Sequence, residues 1–248
     1  MSTRVRFALF AVASTGLAAL LLWSVFDLPR FGDYHHAYGR TLNRVAPSER
    51  GTSNVVAAVV FDYRGLDTMG EEFILFAAVV GVALLLREPR EEEAPVPRDS
   101  VRSDAVRAGG VSLAGATLVL GLWVVSHGYV TPGGGFQGGV ILASSFLLLW
   151  LAGTYRAYRR ATPFAAVEFA EGTGAGAYVA VGVAALLAGT PFLHNLIGPG
   201  TSGKLASGGS IPLLNWAAGV EVCAAFLLLF GEFLTERALV LAGDRPRQ

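Results

Sequence analysis

Six stretches of this chain are apolar over a length that suits a membrane-crossing helix, and polar or glycine-rich sequence separates them. They are residues 7–26, 71–86, 111–130, 136–153, 175–193 and 211–233. A helix rising about 1.5 Å per residue needs some 20 apolar residues to cross roughly 30 Å of hydrocarbon. The pattern therefore predicts an all-α, polytopic membrane protein of about six transmembrane helices. The second stretch is the shortest, because Asp62, Arg64 and Asp67 separate it from the apolar run 55–61. Only a glycine-rich break divides the third from the fourth, which predicts a short re-entrant or broken element there. Arg4 and Arg6 precede the first stretch as they would in a signal peptide. That stretch is longer than a signal core and lacks a clean cleavage site, so it reads as a retained first helix.

Composition narrows the class. Of 248 residues, 53% are hydrophobic and 15% charged, too apolar a balance for one soluble domain with a polar surface. Nineteen basic residues balance nineteen acidic ones, so there is no broad basic field for nucleic acid. The single cysteine, Cys223, lies in an apolar run and rules out a disulfide framework or a cysteine-based metal site. Basic residues collect on the cytoplasmic side of short loops. With both termini cytoplasmic, thirteen of the nineteen fall inside and six outside, four of the latter being arginines of the first outer loop. This predicts a multi-pass protein of the cell membrane.

Residues 87–107 hold Glu91, Glu92, Glu93, Pro95 and Pro97 and read as a cytoplasmic linker between two hydrophobic modules. The expected division is a two-helix module over 1–87, a linker over 88–107 and a four-helix domain over 108–248. No internal repeat spans that boundary, which speaks against an inverted-repeat transporter.

Three constellations can carry chemistry. Glu221 lies about ten residues from either end of its span, near the bilayer midplane, where a carboxylate costs at least a few kcal/mol. Its helical neighbours Ala217, Ala218, Ala224 and Ala225 form a strip of small residues that lets another helix approach. Glu221 is thus either a proton carrier facing a partner helix or wet cavity, or a protonated structural residue; Glu232 falls at the interface. The second constellation is Asp62, Arg64, Asp67, Glu71 and Glu72, with Asp67 and Glu71 one helical turn apart and Arg64 able to pair with either. It reads as a cation-attracting mouth or a proton relay entry centred on Glu71, or as a charged helix cap in the headgroup region, the reading that suits Asp62. The third runs from His127 through Pro132, Gly133, Gly134 and Gly135 to Gly138 and Gly139. Pro132 ends a helix, and the glycines allow close backbone approach. Histidine is the side chain suited by type to proton exchange near neutral pH, so His127 is a relay candidate or a hydrogen-bonded loop histidine. His194 and Lys204 read as loop residues, and His35 and His36 have no partners suited to a metal, so neither metal nor cofactor is expected.

The string from Asn54 to Glu72 resembles the E-type module found at the C-terminal end of the large first chain of Mrp antiporters, and as a separate small protein in energy-converting membrane-bound hydrogenases. The string from His127 to Gly139, with Gly219-Val220-Glu221-Val222, is similar to the B subunit of Mrp antiporters, the MnhB domain. These resemblances imply a non-enzymatic subunit of a multisubunit antiporter that exchanges sodium or another monovalent cation for protons across the cytoplasmic membrane. They place Asp67 and Glu71 in the ion-translocating region, with Glu221 and His127 as further candidates. Two alternatives stay open: the equivalent module of a hydrogenase or respiratory complex, and a purely structural assembly subunit.

Overall fold

The computed structural model describes residues 3–26, 28, 37–86, 103–152 and 155–243, with side chains from Arg4 to Leu234. Its helices are α1 (Thr3–Phe26), α2 (Ala37–Glu49), α3 (Val55–Ala58), α4 (Gly65–Leu86), α5 (Asp104–His127), α6 (Gly135–Leu151), α7 (Tyr155–Ala161), α8 (Phe164–Leu187) and α9 (Ile211–Gly243). A π-helical turn over Val59–Tyr63 continues α3. No strand occurs among the described residues. Residues 88–102, most of the expected linker, and His35 and His36 lie outside them.

Five helices are long and apolar enough to cross a membrane: α1, α4, α5, α8 and the first part of α9, Ile211–Leu234. The sixth expected span is α6, apolar but only 17 residues long. Two helices start well before their apolar stretches. α4 begins at Gly65 and takes in Asp67 and Glu71; α8 begins at Phe164, behind Pro163, and takes in Glu168 and Glu171. Charge at one end of a helix lowers its mean hydropathy without interrupting its hydrogen bonds, so hydropathy alone trims such helices short.

The chain forms two compact units, residues 1–41 and 42–248. The first contains α1, an unbroken apolar helix. In the second, α5 and α6 form a hairpin, and α9 packs against α4, α5, α6 and α8. Small residues set how close these helices come. A Cβ added at Gly139 would lie 2.8 Å from the Gly219 carbonyl oxygen of α9, and one at Gly138 would lie 2.8 Å from the Val125 nitrogen of α5. At Gly174 of α8 it would lie 2.6 Å from the backbone nitrogen of Glu221. Close approach of this kind supplies the dispersion contacts that hold helices together where lipid removes the hydrophobic drive.

The interior divides into two apolar layers along α9. One gathers Phe61, Tyr178, Leu193, Ile211, Leu214 and Ala218 with their neighbours. The other gathers Val79, Ala143, Tyr158, Val167, Ala224 and Leu228. Between them lie buried residues that are not apolar.

The glycine contacts generate a contrast. Gly174→Ala forces backbone displacement at α9 and is expected to cost about 1–3 kcal/mol, lowering the unfolding temperature of the detergent-solubilised protein. Gly172→Ala, with nothing within 4 Å of its added Cβ, leaves that temperature unchanged or slightly raised.

Candidate functional site

The layer between the two apolar clusters holds three glutamates from three helices. Glu72 of α4 lies between Met69 and Leu75, Glu171 of α8 between Ala170 and Tyr178, and Glu221 of α9 between Ala218 and Ala224. Their exposures are 2%, 4% and 0%. Helical periodicity turns each inward: on α4 it buries Gly65, Thr68, Glu72 and Val79, and on α8 Val167, Glu171, Gly174 and Tyr178. Glu72 and Glu221 lie near enough to act on each other, and Glu171 near enough to act electrostatically with Glu221. Yet both oxygens of Glu72, both of Glu221 and Oε1 of Glu171 have no hydrogen-bond partner among the described residues. Two ionised carboxylates are both acceptors and cannot bond to each other. The other charges acting on the group are also carboxylates, Glu71 on Glu72 and Glu168 on Glu171.

A polar joint sits on the side of the molecule where α4 and α9 begin. Asn54 caps α3 by accepting from the backbone N–H groups of Val56 and Ala57, at 3.1 and 3.3 Å. Its Nδ2 donates to the carbonyls of Gly128, Thr131 and Gly133. Thr52 donates to the Tyr129 carbonyl, and Ser53 to that of Val130 at 2.7 Å. Three consecutive side chains thus bind the turn between α5 and α6. That turn reaches α6 through Gly133 and Gly134, both at positive φ (125° and 156°). Asn215 of α9, fully buried, accepts from the Gly135 N–H at 2.8 Å and caps α6. The π turn leaves the Val60 carbonyl to accept from Thr68 at 2.6 Å, and the Gly65 carbonyl accepts from Tyr178 at 2.9 Å. A cavity of about 170 Å³ opens beside the joint, lined by Phe61, Thr68, Glu71, Gly134 and Gln137.

The structure separates the residues singled out from sequence. Glu221 lies at the centre of the buried layer, and its four alanine neighbours are buried with it. Glu71 is exposed and lines the cavity, while its neighbour Glu72 occupies the layer. Asp67 is exposed and paired with Arg64, whose Nε lies 2.6 Å from its carboxylate. Asp62, in the π turn, is bound by Arg50 at 3.0 Å and by Asn195 at 3.1 Å, which ties the joint to the 188–210 loop. His127 stacks on Trp123, 3.9 Å between ring centroids, with Nδ1 3.1 Å from that residue's carbonyl oxygen. Those contacts stay within α5 and do not bring His127 into the layer. Gly133, Gly134 and Gly135 form the turn into α6, and Gly138 and Gly139 the α6 contacts to α5 and α9. Glu171, absent from the sequence-derived set, was signalled by the small residues Gly174 and Gly182 that share its buried stripe.

A multi-pass bundle of apolar helices with carboxyls buried between them is the architecture of a polytopic membrane protein. Residues 105–228 match the family described as "Domain related to MnhB subunit of Na+/H+ antiporter", and the chain belongs to that family. Residues 2–103 match a second family, MbhE, the E component of MBH. An uncharacterised protein of Methanocaldococcus jannaschii is 31% identical over 212 residues, covering 74% of this chain and 80% of its own length. A probable K(+)/H(+) antiporter A/B chain of Rhizobium meliloti is 28% identical over 62% of this chain, which spans 17% of that longer protein. Among solved structures, a chain of the membrane-bound sulfane sulfur reductase, an archaeal respiratory membrane complex, superposes with a TM-score of 0.67 at 32% identity. It covers 93% of this chain and 98% of its own length.

The joint generates its own test. Asn54→Ala removes a helix cap and three carbonyl contacts at once and is expected to destabilise the solubilised protein by about 2 kcal/mol. Ser53→Ala, which loses one exposed bond, should change stability by less than about 0.5 kcal/mol. Equal effects in thermal unfolding would show that the joint is not centred on Asn54.

Proposed function

We propose that this chain is a membrane subunit of an Mrp-type antiporter that exchanges a monovalent cation, sodium in the first instance, for protons, and that it contributes to the ion path. One observation carries the reading: three carboxyls from three helices are buried between the apolar layers, with no basic side chain among the described groups that act on them. A packing element gains nothing from such groups, since each costs several kcal/mol in hydrocarbon, whereas a path for charge needs them. The family match supplies the context, and the match to an A/B chain joins the two modules in one longer protein. The proposed organisation is an E-type module over 1–87, a linker over 88–107 and an MnhB-like domain over 108–248, with both termini cytoplasmic. The chain acts with other subunits and catalyses no bond-breaking chemistry. Glu71, exposed beside the cavity, serves as a feeder of the path, and Asp67 holds the mouth through Arg64.

The whole-length superposition on a chain of a respiratory complex favours a second reading, in which redox energy from other subunits drives the same ion path. Purifying the tagged chain from native membranes in mild detergent and identifying its companions separates the two. Long antiporter-like subunits alone support the antiporter, and iron–sulfur proteins support the respiratory complex. Recovery of the chain by itself from a preparation that keeps complexes intact would sink both. In the assembled complex, Glu221→Gln is expected to lower proton-coupled cation transport in inverted vesicles at least roughly tenfold; undiminished transport would leave a purely structural subunit.

A further inference from the structure

We propose that Glu72 and Glu221 hold one proton between them and that Glu171 is its next station, so that the three carboxyls form a staggered proton relay through the middle of the bundle. This rests on the reading of the chain as part of an ion path and says which ion the buried layer carries, and in what order.

The order follows from helix register. Asn195 binds both Asp62 and the Ser210 N–H, which puts the starts of α4 and α9 on one side of the molecule. Glu72 lies seven residues into α4, roughly 10 Å along its axis, and Glu221 ten residues into α9, roughly 15 Å. Gly174 touches the backbone of Glu221 and so fixes the level of α8. Glu171 lies three residues further from that side, roughly 4.5 Å deeper. The carboxyls therefore descend by about one helical turn per step. At the ends stand two exposed acids, Glu71 at the cavity beside Glu72 and Glu168 one turn beyond Glu171.

The occupant follows from the surroundings. Glu72 and Glu221, buried on neighbouring helices, act on each other, and none of their four oxygens has a hydrogen-bond partner among the described residues. A single proton converts that arrangement into an O–H···O⁻ hydrogen bond and removes half the buried charge. A bare cation would need a convergent shell of oxygens. The three carboxyls are instead strung along the bundle, do not gather into a set able to hold a metal ion, and are flanked by Ala217, Ala218, Ala224 and Gly174. The titratable groups facing the pair are Glu71 from α4, and Glu171 and Tyr178 from α8, with Glu168 behind Glu171 and Cys223 on α9. None of these is basic. In each step the proton leaves one carboxyl oxygen for the carboxylate of the next, and the emptied carboxylate is refilled from the cavity side.

The test uses dicyclohexylcarbodiimide, which modifies protonated carboxyls in apolar surroundings, on the intact wild-type complex, with mass spectrometry to locate the adduct. Modification is expected on Glu72 or Glu221, falling about tenfold per pH unit once the shared proton is lost and unchanged by added sodium. Protection by sodium at fixed pH would overturn the proton assignment in favour of a cation site. Modification absent at both residues, or independent of pH, would overturn the shared proton. Glu171→Gln is expected to keep the Glu72–Glu221 modification while lowering proton movement at least roughly tenfold; wild-type proton movement in that variant removes Glu171 from the relay. These outcomes are independent of which proteins co-purify, so the relay can fail while the proposed membership of the complex stands.

Discussion

Carboxyl groups are costly in hydrocarbon, and the cost of placing three of them there governs how this bundle is built. Glu72, Glu171 and Glu221 are tolerated because each is shielded from lipid by a neighbouring helix. The shielding depends on backbones coming closer than ordinary side chains allow. Gly174 lies directly against the backbone that carries Glu221, and Gly135 and Gly139 bring α6 onto the adjacent face of α9. Apolar layers above and below keep water from spreading along the helices. A bundle packed with leucine at those glycines would stand further apart and open the acids to lipid.

The second constraint is the joint formed by Thr52, Ser53 and Asn54. Broken helices leave carbonyl groups without partners, and in a membrane those groups must be satisfied by protein. Here the break after α5 presents the carbonyls of residues 128–133, and the chain before α3 supplies the donors. The π turn that follows adds a second interruption, answered by Thr68 and Arg64. Two irregular segments, distant in sequence and each costly alone, thus satisfy each other. This mutual need explains why segments resembling two different proteins fold here as one compact unit from residue 42 onward.

Much of this was legible in the chain. Hydropathy gave the all-α membrane class and the core of each span, and the isolated acid Glu221 amid alanines pointed to the interior. Glu71 and Glu72 show the limit of such reading. Adjacent residues on a helix differ by about 100° in direction, and only the placement of Thr68 and Val79 shows that Glu72 is the one turned inward. Glu171 was lost for another reason: an apolar window starts where glycine and glutamate end, yet these are the residues that mark a buried contact. His127 reads as a relay group by type alone, and its stacking on Trp123 depends on a rotamer that no spacing rule reports. The pairing of Asn54 with the α5–α6 turn joins residues more than seventy positions apart and leaves no local trace.

One dimension of the fold sets the electrical landscape around the acids. α6 has 17 residues and spans only about 25 Å, several ångströms less than a typical hydrocarbon core. Lipid meeting this helix must thin, or the glycine turn at its start must sit below the headgroups. Where the bilayer thins to match α6, the insulating slab is narrower there. The transmembrane voltage then drops over a shorter distance, and the local field along the bundle is correspondingly steeper. A charge displaced by one helical turn next to α6 senses a larger share of the membrane potential than the same displacement in a full-thickness bilayer.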